Sequence, residues 1–489
     1  MNGPRARETV QKLWNASKSL QGGGVSYYEY VTELTYLLLL KMLEEVSRDG
    51  KKLEERLPAD CRWAALKKLE GEARLVRYRA LLLELGTRAD INFPLVKQVF
   101  TDAKTSLTKA TALTSLINTI DNVDWYAAEE DGLGDLYEGL LERTTSERKS
   151  KAGQYFTPRP LIETIIELVK PKAGETIQDP AAGTGGFLIA AHRAICRATD
   201  ELMDLPEEEA FFQRFLAYRG AELITGTHRL NTMNLLLHGI DAPIGCVDTL
   251  TEDGAALGKA DLILTNPPFN KFPERVTRSD FVIAAGAAKG PLPFLEHVVR
   301  SLEVGGRAAI VVPDNVLFED NMGRDLRNWL MDLCDLHTIL RLPTGIFYAQ
   351  GVKTNAMFLT KMSEDRIGAT KQVWFYDLRA QMPNFGKTRT LMADDFAPFI
   401  KAYGADPLGA AKRKDEGETG RFRVFTREEI AKRNDNLDIS WLREDEEEIE
   451  IGLTEPDDIA AAILGHLRAA LEEIEAVADE LAETEEVEA

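Results

Sequence analysis

Cysteine is scarce in this sequence: four residues (Cys61, Cys196, Cys246 and Cys334) among 489, widely scattered and without a CxxC pair. That argues against a disulfide framework and predicts reduced thiols in a cytoplasmic protein. The six histidines show no HExxH or similar ligand spacing, so no metal site is expected. Long apolar runs are missing too. The longest, around Tyr36-Leu37-Leu38-Leu39-Leu40, falls far short of the roughly 20 residues a membrane-spanning helix needs. No charged-then-apolar leader pattern opens the chain, and no membrane association is expected. Nor is there an excess of positive charge: 59 lysines and arginines stand against 80 acids, a net charge of −21. From Arg443 onward 18 acids face two arginines, so about −16 sits in the tail and about −5 on the rest. The acidity therefore belongs to a tail, and the body is not a strongly basic nucleic-acid binder.

What is present is an ordinary globular composition, 44% apolar and 28% charged, over a length that predicts two to four domains. Residues 1–145 read as helical, with apolar residues recurring at three and four over Arg5 to Trp14, Tyr27 to Val46 and Arg62 to Leu85. Gln21-Gly22-Gly23-Gly24 separates the first two helices. Residues 146–442 form the second expected domain. From about Gly153 to about Asp377 short β-rich runs alternate with helices. Strands are predicted at Thr176–Gln178, Leu216–Ala221, Ile244–Val247, Asp261–Leu264, Arg307–Val312, Leu336–Leu342, Thr354–Leu359 and Gln372–Tyr376. Helices are predicted at Gly186–Arg197, His228–His238 and Pro293–Leu302. Such alternation predicts an α/β fold around a mainly parallel, doubly wound sheet, with ligands at the carboxyl ends of its strands. In the tail, 443–489, Leu464, Leu467, Leu471, Ile474, Ala478 and Leu481 form a heptad seam suited to its own protein or to a helix of another subunit.

Two stretches carry chemistry. Asp179-Pro180-Ala181-Ala182-Gly183-Thr184-Gly185-Gly186-Phe187 follows the first predicted sheet strand and opens a helix. Its glycines permit a tight turn and close backbone approach to a ligand. It lacks GxGxxG and the P-loop lysine, which disfavours a nucleoside triphosphate. An acid ahead of the glycines suits a ligand with a cationic amine, such as S-adenosylmethionine. Glu222, after the second strand, is placed to accept from ribose hydroxyls, and Asp248, after the third, to accept from an adenine amine. The other stretch, Thr265-Asn266-Pro267-Pro268-Phe269-Asn270, ends the run Asp261 to Leu264. Two prolines cannot continue a central strand, because each lacks the N–H a sheet ladder needs.

In this order, DPAAGTGGF, an acid after the next strand and NPPF after the fourth resemble the amino-methyltransferases that act on adenine N6 in DNA. Gly153-Gln154-Tyr155-Phe156-Thr157-Pro158-Arg159 is similar to the motif opening the catalytic domain of methyltransferase (M) subunits of type I restriction–modification systems. His228 to Leu235 with Leu237-His238-Gly239 also fits that family, and the resemblance covers essentially the whole chain. It implies a Rossmann-like methyltransferase sheet with a helical N-terminal domain and a helical C-terminal tail. It implies S-adenosylmethionine as cofactor, with Tyr155, Phe156 and Thr157 lining its pocket. Asp179, Gly183 and Gly185 would hold its methionine end, Glu222 its ribose and Asp248 its adenine, with Ala181 and Thr184 as further cofactor contacts. Asn266, Pro267, Pro268 and Phe269 would be catalytic: the Asn266 side-chain oxygen and the Pro267 carbonyl accept the amine hydrogens, and Phe269 stacks on a base taken out of the duplex.

No zinc finger, basic helix or aromatic RNA-binding pattern follows Tyr376. The resemblance supplies the reader as a separate specificity (S) subunit, with a second M subunit, a restriction (R) subunit as an optional further member, and double-stranded DNA as substrate. The rivals are a protein-glutamine methyltransferase, which would typically carry NPPY; a solitary adenine methyltransferase of another phage-defence system; and a non-catalytic scaffold, against which the intact NPPF argues.

Overall fold

The computed structural model describes residues 11–15, 27–45, 47–48, 51–91, 93–123, 137–141, 157–347, 353–380 and 391–442. Tyr155, Phe156, the first residues of the helix expected from Arg5 and the tail with its heptad seam lie outside them. The described residues fall into two compact units: one holds those up to 141 together with Pro171–Thr265, the other Thr157–Lys170 and Asn266 onward.

The first unit begins with helices Tyr27–Glu45, Trp63–Lys67, Gly71–Thr87, Pro94–Phe100 and Ala110–Asp121. Leu37, Leu38 and Leu39 are fully buried in succession, so the first of these is enclosed on every side. Its leucines join Leu81, Leu82 and Leu85 and the three-and-four stripe Leu113, Leu116, Ile117 and Ile120 in one core. Each such side chain contributes about 1.5–3 kcal/mol on leaving water. The run expected as one helix over Arg62 to Leu85 is two. Arg74 of the second helix donates from Nε to the Leu69 carbonyl and from Nη2 to that of Lys67, satisfying the end of the first. The region is also not purely helical, because β1 (Ser47–Arg48) and β2 (Lys51–Lys52) pair antiparallel.

Three parallel strands complete this unit: β3 (Ile177–Asp179), β4 (Tyr218–Gly220) and β5 (Ala260–Thr265), with β3 between the other two. Helices Gly186–Ala198 and Thr225–Leu237 follow β3 and β4, as the βα alternation predicts. The strand expected at Ile244–Val247 does not form. Pro243 withholds a donor just ahead of it, and only a single bridge, Ala221 to Gly245, joins the sheet. Helix Thr225–Leu237 is buried on more than one face. Leu230, Met233 and Leu236 enter the helical core. Arg229 donates to the carbonyls of Val99 (2.7 Å) and Thr101 (2.8 Å).

The second unit carries the short pair β6 (Phe272–Arg275) and β7 (Ala288–Lys289), then β8 (Leu302–Pro313), β9 (Cys334–Leu342), β10 (Thr354–Lys361), β11 (Gln372–Asp377) and β12 (Phe422–Thr426). Its sheet strands run in the order β12-β11-β9-β10-β8. The first unit thus holds three sheet strands and the second five. The expectation of a mainly parallel sheet fails in the second unit. β10 is antiparallel to both neighbours and β12 to β11, while β11 runs parallel to β9. Only residues 343–353 separate β9 from β10, too few for an ordinary helical crossover, so the chain turns straight back. Helix Arg159–Val169 belongs to this unit, and Arg307 on β8 closes its end by donating to the carbonyls of Val169 (2.6 Å) and Lys170 (2.8 Å). Among the described residues no helix is long and apolar enough to cross a membrane.

Candidate active site

In the first unit the glycine stretch leaves β3 at Asp179 and turns at once into helix Gly186–Ala198. Gly183 and Gly185 adopt φ of +52° and +86°, where a side chain would strain the backbone. A β-carbon on Gly185 would also stand 3.2 Å from Leu235 Cδ2 and 3.3 Å from Asn231 Nδ2. The Ala181 N–H donates to Asp179 Oδ1 at 3.1 Å, so this carboxylate shapes its own loop. It is only 2% exposed. Burial raises its pKa to about 7, and the neighbouring Glu222 charge adds to the rise.

Glu222 is the clamp of the assembly. One carboxylate oxygen accepts from Gly183 N–H at 3.0 Å and the other from Ile224 N–H at 2.8 Å. Burial lifts it to about 7, against the pull of those two bonds. Asp248 accepts from the Leu250 N–H at 2.9 Å through Oδ1, and the next residue ties this turn to the glycine loop, where the Thr249 hydroxyl donates to the Pro180 carbonyl at 2.5 Å. Asp179, Ala181, Gly183, Gly185, Glu222 and the Asp248 turn thus belong to one bonded assembly.

Two members of it had been given no role from sequence. Asn231 Nδ2 donates to the Gly183 carbonyl at 3.0 Å and Asn234 Nδ2 to the Thr184 carbonyl at 2.9 Å. Both side-chain oxygens are buried without a partner. The available signal was their spacing, since residues three apart share a helix face.

In the second unit Asn266-Pro267-Pro268-Phe269 follows directly on β5. Pro267 is buried and the other three are half-buried. The Asn266 amide donates from Nδ2 to Thr157 Oγ1 at 2.9 Å. Its Oδ1 is buried and unpartnered. Phe269 meets Phe347 edge to face, with ring centroids 5.6 Å apart and planes at 80°. Phe347, in the turn after β9, was not foreseen. Its only signal was an aromatic behind Pro343-Thr344-Gly345. Thr157, expected beside a cofactor, touches the asparagine of the NPPF loop.

One group among the described residues has the side chains to hold a metal ion: Asp60, Cys61 and Glu84. Arginines already occupy it. Arg88 lies 2.6 Å from Asp60 and Arg77 lies 2.7 Å from Glu84, while burial first, and then the Asp60 charge, push the Cys61 thiol up to about 11. This is an ion-pair network on the helical region.

The family model described as N-6 DNA Methylase matches residues 128–450. The chain is 43% identical over 519 residues to the type I restriction enzyme EcoKI methylase subunit of Escherichia coli strain K12, covering 98% of this chain and 96% of that protein. It is 44% identical over 522 residues to the StySPI methylase subunit of Salmonella potsdam, covering 99% and 97%. The crystal structure of the EcoKI M protein superposes with a TM-score of 0.57 at 40% identity, over 97% and 96% of the two chains. A second solved structure, described as the structural basis underlying complex assembly and conformational transition of the type I R-M system, gives a TM-score of 0.72 at 24% identity over 98% and 99%, a likeness of fold alone. With its glycine loop after β3 and its NPPF loop after β5, the chain belongs to the N-6 DNA methylase family as the methylase subunit of a type I restriction–modification enzyme, an adenine-specific DNA methyltransferase acting at N6.

Proposed function

We propose that the methyl donor is S-adenosylmethionine, held by the glycine assembly, and that Asn266, Pro267 and Phe269 prepare the adenine. The observation that carries this is the buried Asn266 Oδ1 without a partner, next to two prolines that offer no N–H. The glycine assembly fits the donor. Gly183 and Gly185 leave backbone open to close approach, and two buried amide oxygens, on Asn231 and Asn234, lack partners beside them. Each Glu222 oxygen keeps a lone pair beyond its backbone bond, enough for ribose hydroxyls. Asp179, Ala181 and Thr184 shape the methionine end, the Asp248 turn lies at the adenine end, and Tyr155 and Phe156 complete the cofactor contacts. S-adenosylmethionine supplies a methyl group made electrophilic by its sulfonium.

The exocyclic amine of adenine is a poor nucleophile because its lone pair is delocalised into the ring. Asn266 Oδ1 and the Pro267 carbonyl accept its two hydrogens, which draws the nitrogen towards tetrahedral geometry and frees the lone pair. Pro267 and Pro268 hold the carbonyl rigid, so the orientation is set in advance. Phe269, braced by the edge of Phe347, stacks on the extruded base. The loop offers no side-chain nucleophile, so transfer is direct and no covalent enzyme intermediate forms.

The weak basicity of residues 1–442 supports a partner that supplies the DNA reading and much of the phosphate grip. That partner is a specificity subunit flanked by two methylase subunits, in the cytoplasm, with a restriction subunit as an optional further member. Residues 1–145 form the helical domain, 146–442 the methyltransferase domain and 443–489 a helical subunit contact. The test is transfer of labelled methyl to double-stranded DNA, by the chain alone and with its partner subunit, with the product base identified. N6-methyladenine only with the partner is expected. Label in a protein, or none in DNA under either condition, refutes the assignment.

A further inference from the structure

The amide of Asn266 has two ends, and only one of them is useful as an acceptor. Nδ2 is committed to Thr157 Oγ1 at 2.9 Å, while Oδ1 is buried and unpartnered. An asparagine on its own turns either end towards a substrate with little preference, since the two ends have nearly the same shape. Turned the wrong way, it would present N–H donors to an amine that needs acceptors. When Oδ1 faces the amine, Nδ2 points away and needs an acceptor of its own, which Thr157 is placed to supply. Its branched Cβ restricts χ1, and the proline after it restricts its backbone to extended conformations. Pro158 in turn accepts at its carbonyl from the N–H groups of Leu161 (3.0 Å) and Ile162 (3.1 Å), which anchors the segment to helix Arg159–Val169. The hydroxyl oxygen is therefore held in place at a helix start, with a lone pair for the Asn266 amide.

We propose that Thr157 is a positioning residue for methyl transfer: its hydroxyl takes the Asn266 amide N–H and so supports the orientation in which the side-chain oxygen accepts from the adenine amine. This rests on the role given to Asn266 above and stands beside the expectation that Thr157 serves the cofactor. The two roles separate experimentally. A cofactor contact changes S-adenosylmethionine affinity, whereas a residue that orients Asn266 changes the transfer step at saturating cofactor.

The experiment uses the methylase assembled with its partner subunits. Single-turnover methyl transfer to unmethylated DNA is followed beside calorimetric S-adenosylmethionine binding, for wild type, Thr157→Val, Thr157→Ala and Thr157→Ser. Loss of the acceptor in the valine and alanine variants is expected to slow transfer about tenfold or more at saturating cofactor, with cofactor Kd unchanged within about twofold. The serine variant, which keeps the oxygen, restores most of the rate. A valine variant that transfers at the wild-type rate overturns the proposal. So does one whose loss appears as weaker cofactor binding and disappears at high S-adenosylmethionine. Asn266→Ala is measured alongside: if it still transfers normally, the role of the NPPF loop itself falls, and with it the reason for orienting the amide.

Discussion

Replacing Glu222 with glutamine tests the electrostatics of the glycine assembly without touching its shape. The wild-type carboxyl has a pKa near 7 in the folded chain against an ordinary value of 4.5, because it is buried at 6% exposure. The fold therefore binds this proton more tightly than the unfolded chain does. The stabilisation is fully present below about pH 4.5 and is lost as pH rises through 7. At about 1.4 kcal/mol per pH unit of difference, raising the pH from about 5.5 to about 8 removes roughly 2 kcal/mol from this group. Glutamine has no such slope. It has a constant cost instead: both oxygens of Glu222 accept backbone N–H bonds, so an amide must turn its own NH2 towards Gly183 or Ile224. One lost acceptor costs roughly 1–3 kcal/mol. Glu222→Gln is thus expected to be less stable than wild type at pH 5.5 and to draw about 2 kcal/mol closer by pH 8, read from urea unfolding of the full chain. Other buried groups bend both curves. His297 and His337, held near 3 by burial, favour the fold as pH rises towards their ordinary range, and Asp335, raised to about 6 by burial, opposes them. These three are common to both proteins and cancel in the difference, whereas Asp179 loses the part of its rise that the Glu222 charge causes, which adds to the convergence. A gap between variant and wild type that is the same at pH 5.5 and pH 8 would refute the reasoning.

Asn266→Ala removes the acceptor from the NPPF loop and should lower methyl transfer roughly a hundredfold or more, with S-adenosylmethionine Kd unchanged by calorimetry; normal turnover sinks the loop assignment. Gly185→Ala places a β-carbon 3.2 Å from Leu235 at a φ of +86°, and should cost about 1–2 kcal/mol in urea unfolding while weakening cofactor binding. Intact affinity in that variant would move the cofactor away from this turn. Because Asp179 and Glu222 both titrate near 7 and a hydroxyl bonds an ionised carboxylate more strongly than a protonated one, S-adenosylmethionine affinity should tighten from pH 6 to pH 8 and level off above. A flat Kd over that range would show that these carboxylates do not change charge on binding.

Much of this site could be read locally in the sequence because its signals are local. A strand that ends in two prolines must stop, and β5 does stop at Thr265, with Asn266 next. A glycine turn between strand and helix is legible from composition, and Gly183 and Gly185 do take the left-handed conformations such a turn needs. What the sequence withheld depends on partners far along the chain. Thr157 and Asn266 are 109 residues apart, and no local pattern links a hydroxyl to an amide at that distance. Asn231 and Asn234 looked like polar residues of one helix; only the fold brings the glycine-loop carbonyls to them. The antiparallel β10 was hidden for a similar reason, since a strand buried along its whole length carries no mark of direction. At residues 244–247 the apolar run is outweighed by Pro243, which withholds a donor, and a single bridge forms in place of a strand.

The two loops also handle burial differently, and their chemistry explains why. Around the glycines the acceptors are carboxylates, and burial has raised both Asp179 and Glu222 to about 7. Such groups are half-protonated near neutrality, and a protonated oxygen donates where an ionised one accepts. For ribose hydroxyls, which both donate and accept, this ambiguity is tolerable. The adenine amine leaves no such latitude, since both of its N–H groups must donate hydrogen bonds to oxygens before its lone pair is available. A buried carboxylate at position 266 would face the same desolvation and would carry a proton for part of the time at neutral pH. The amide oxygen of Asn266 and the carbonyl of Pro267 have no proton to gain in this range. The remaining weakness of an amide is that its two ends are interchangeable, and with Oδ1 towards the adenine amine the hydroxyl of Thr157, 2.9 Å away, keeps Nδ2 satisfied.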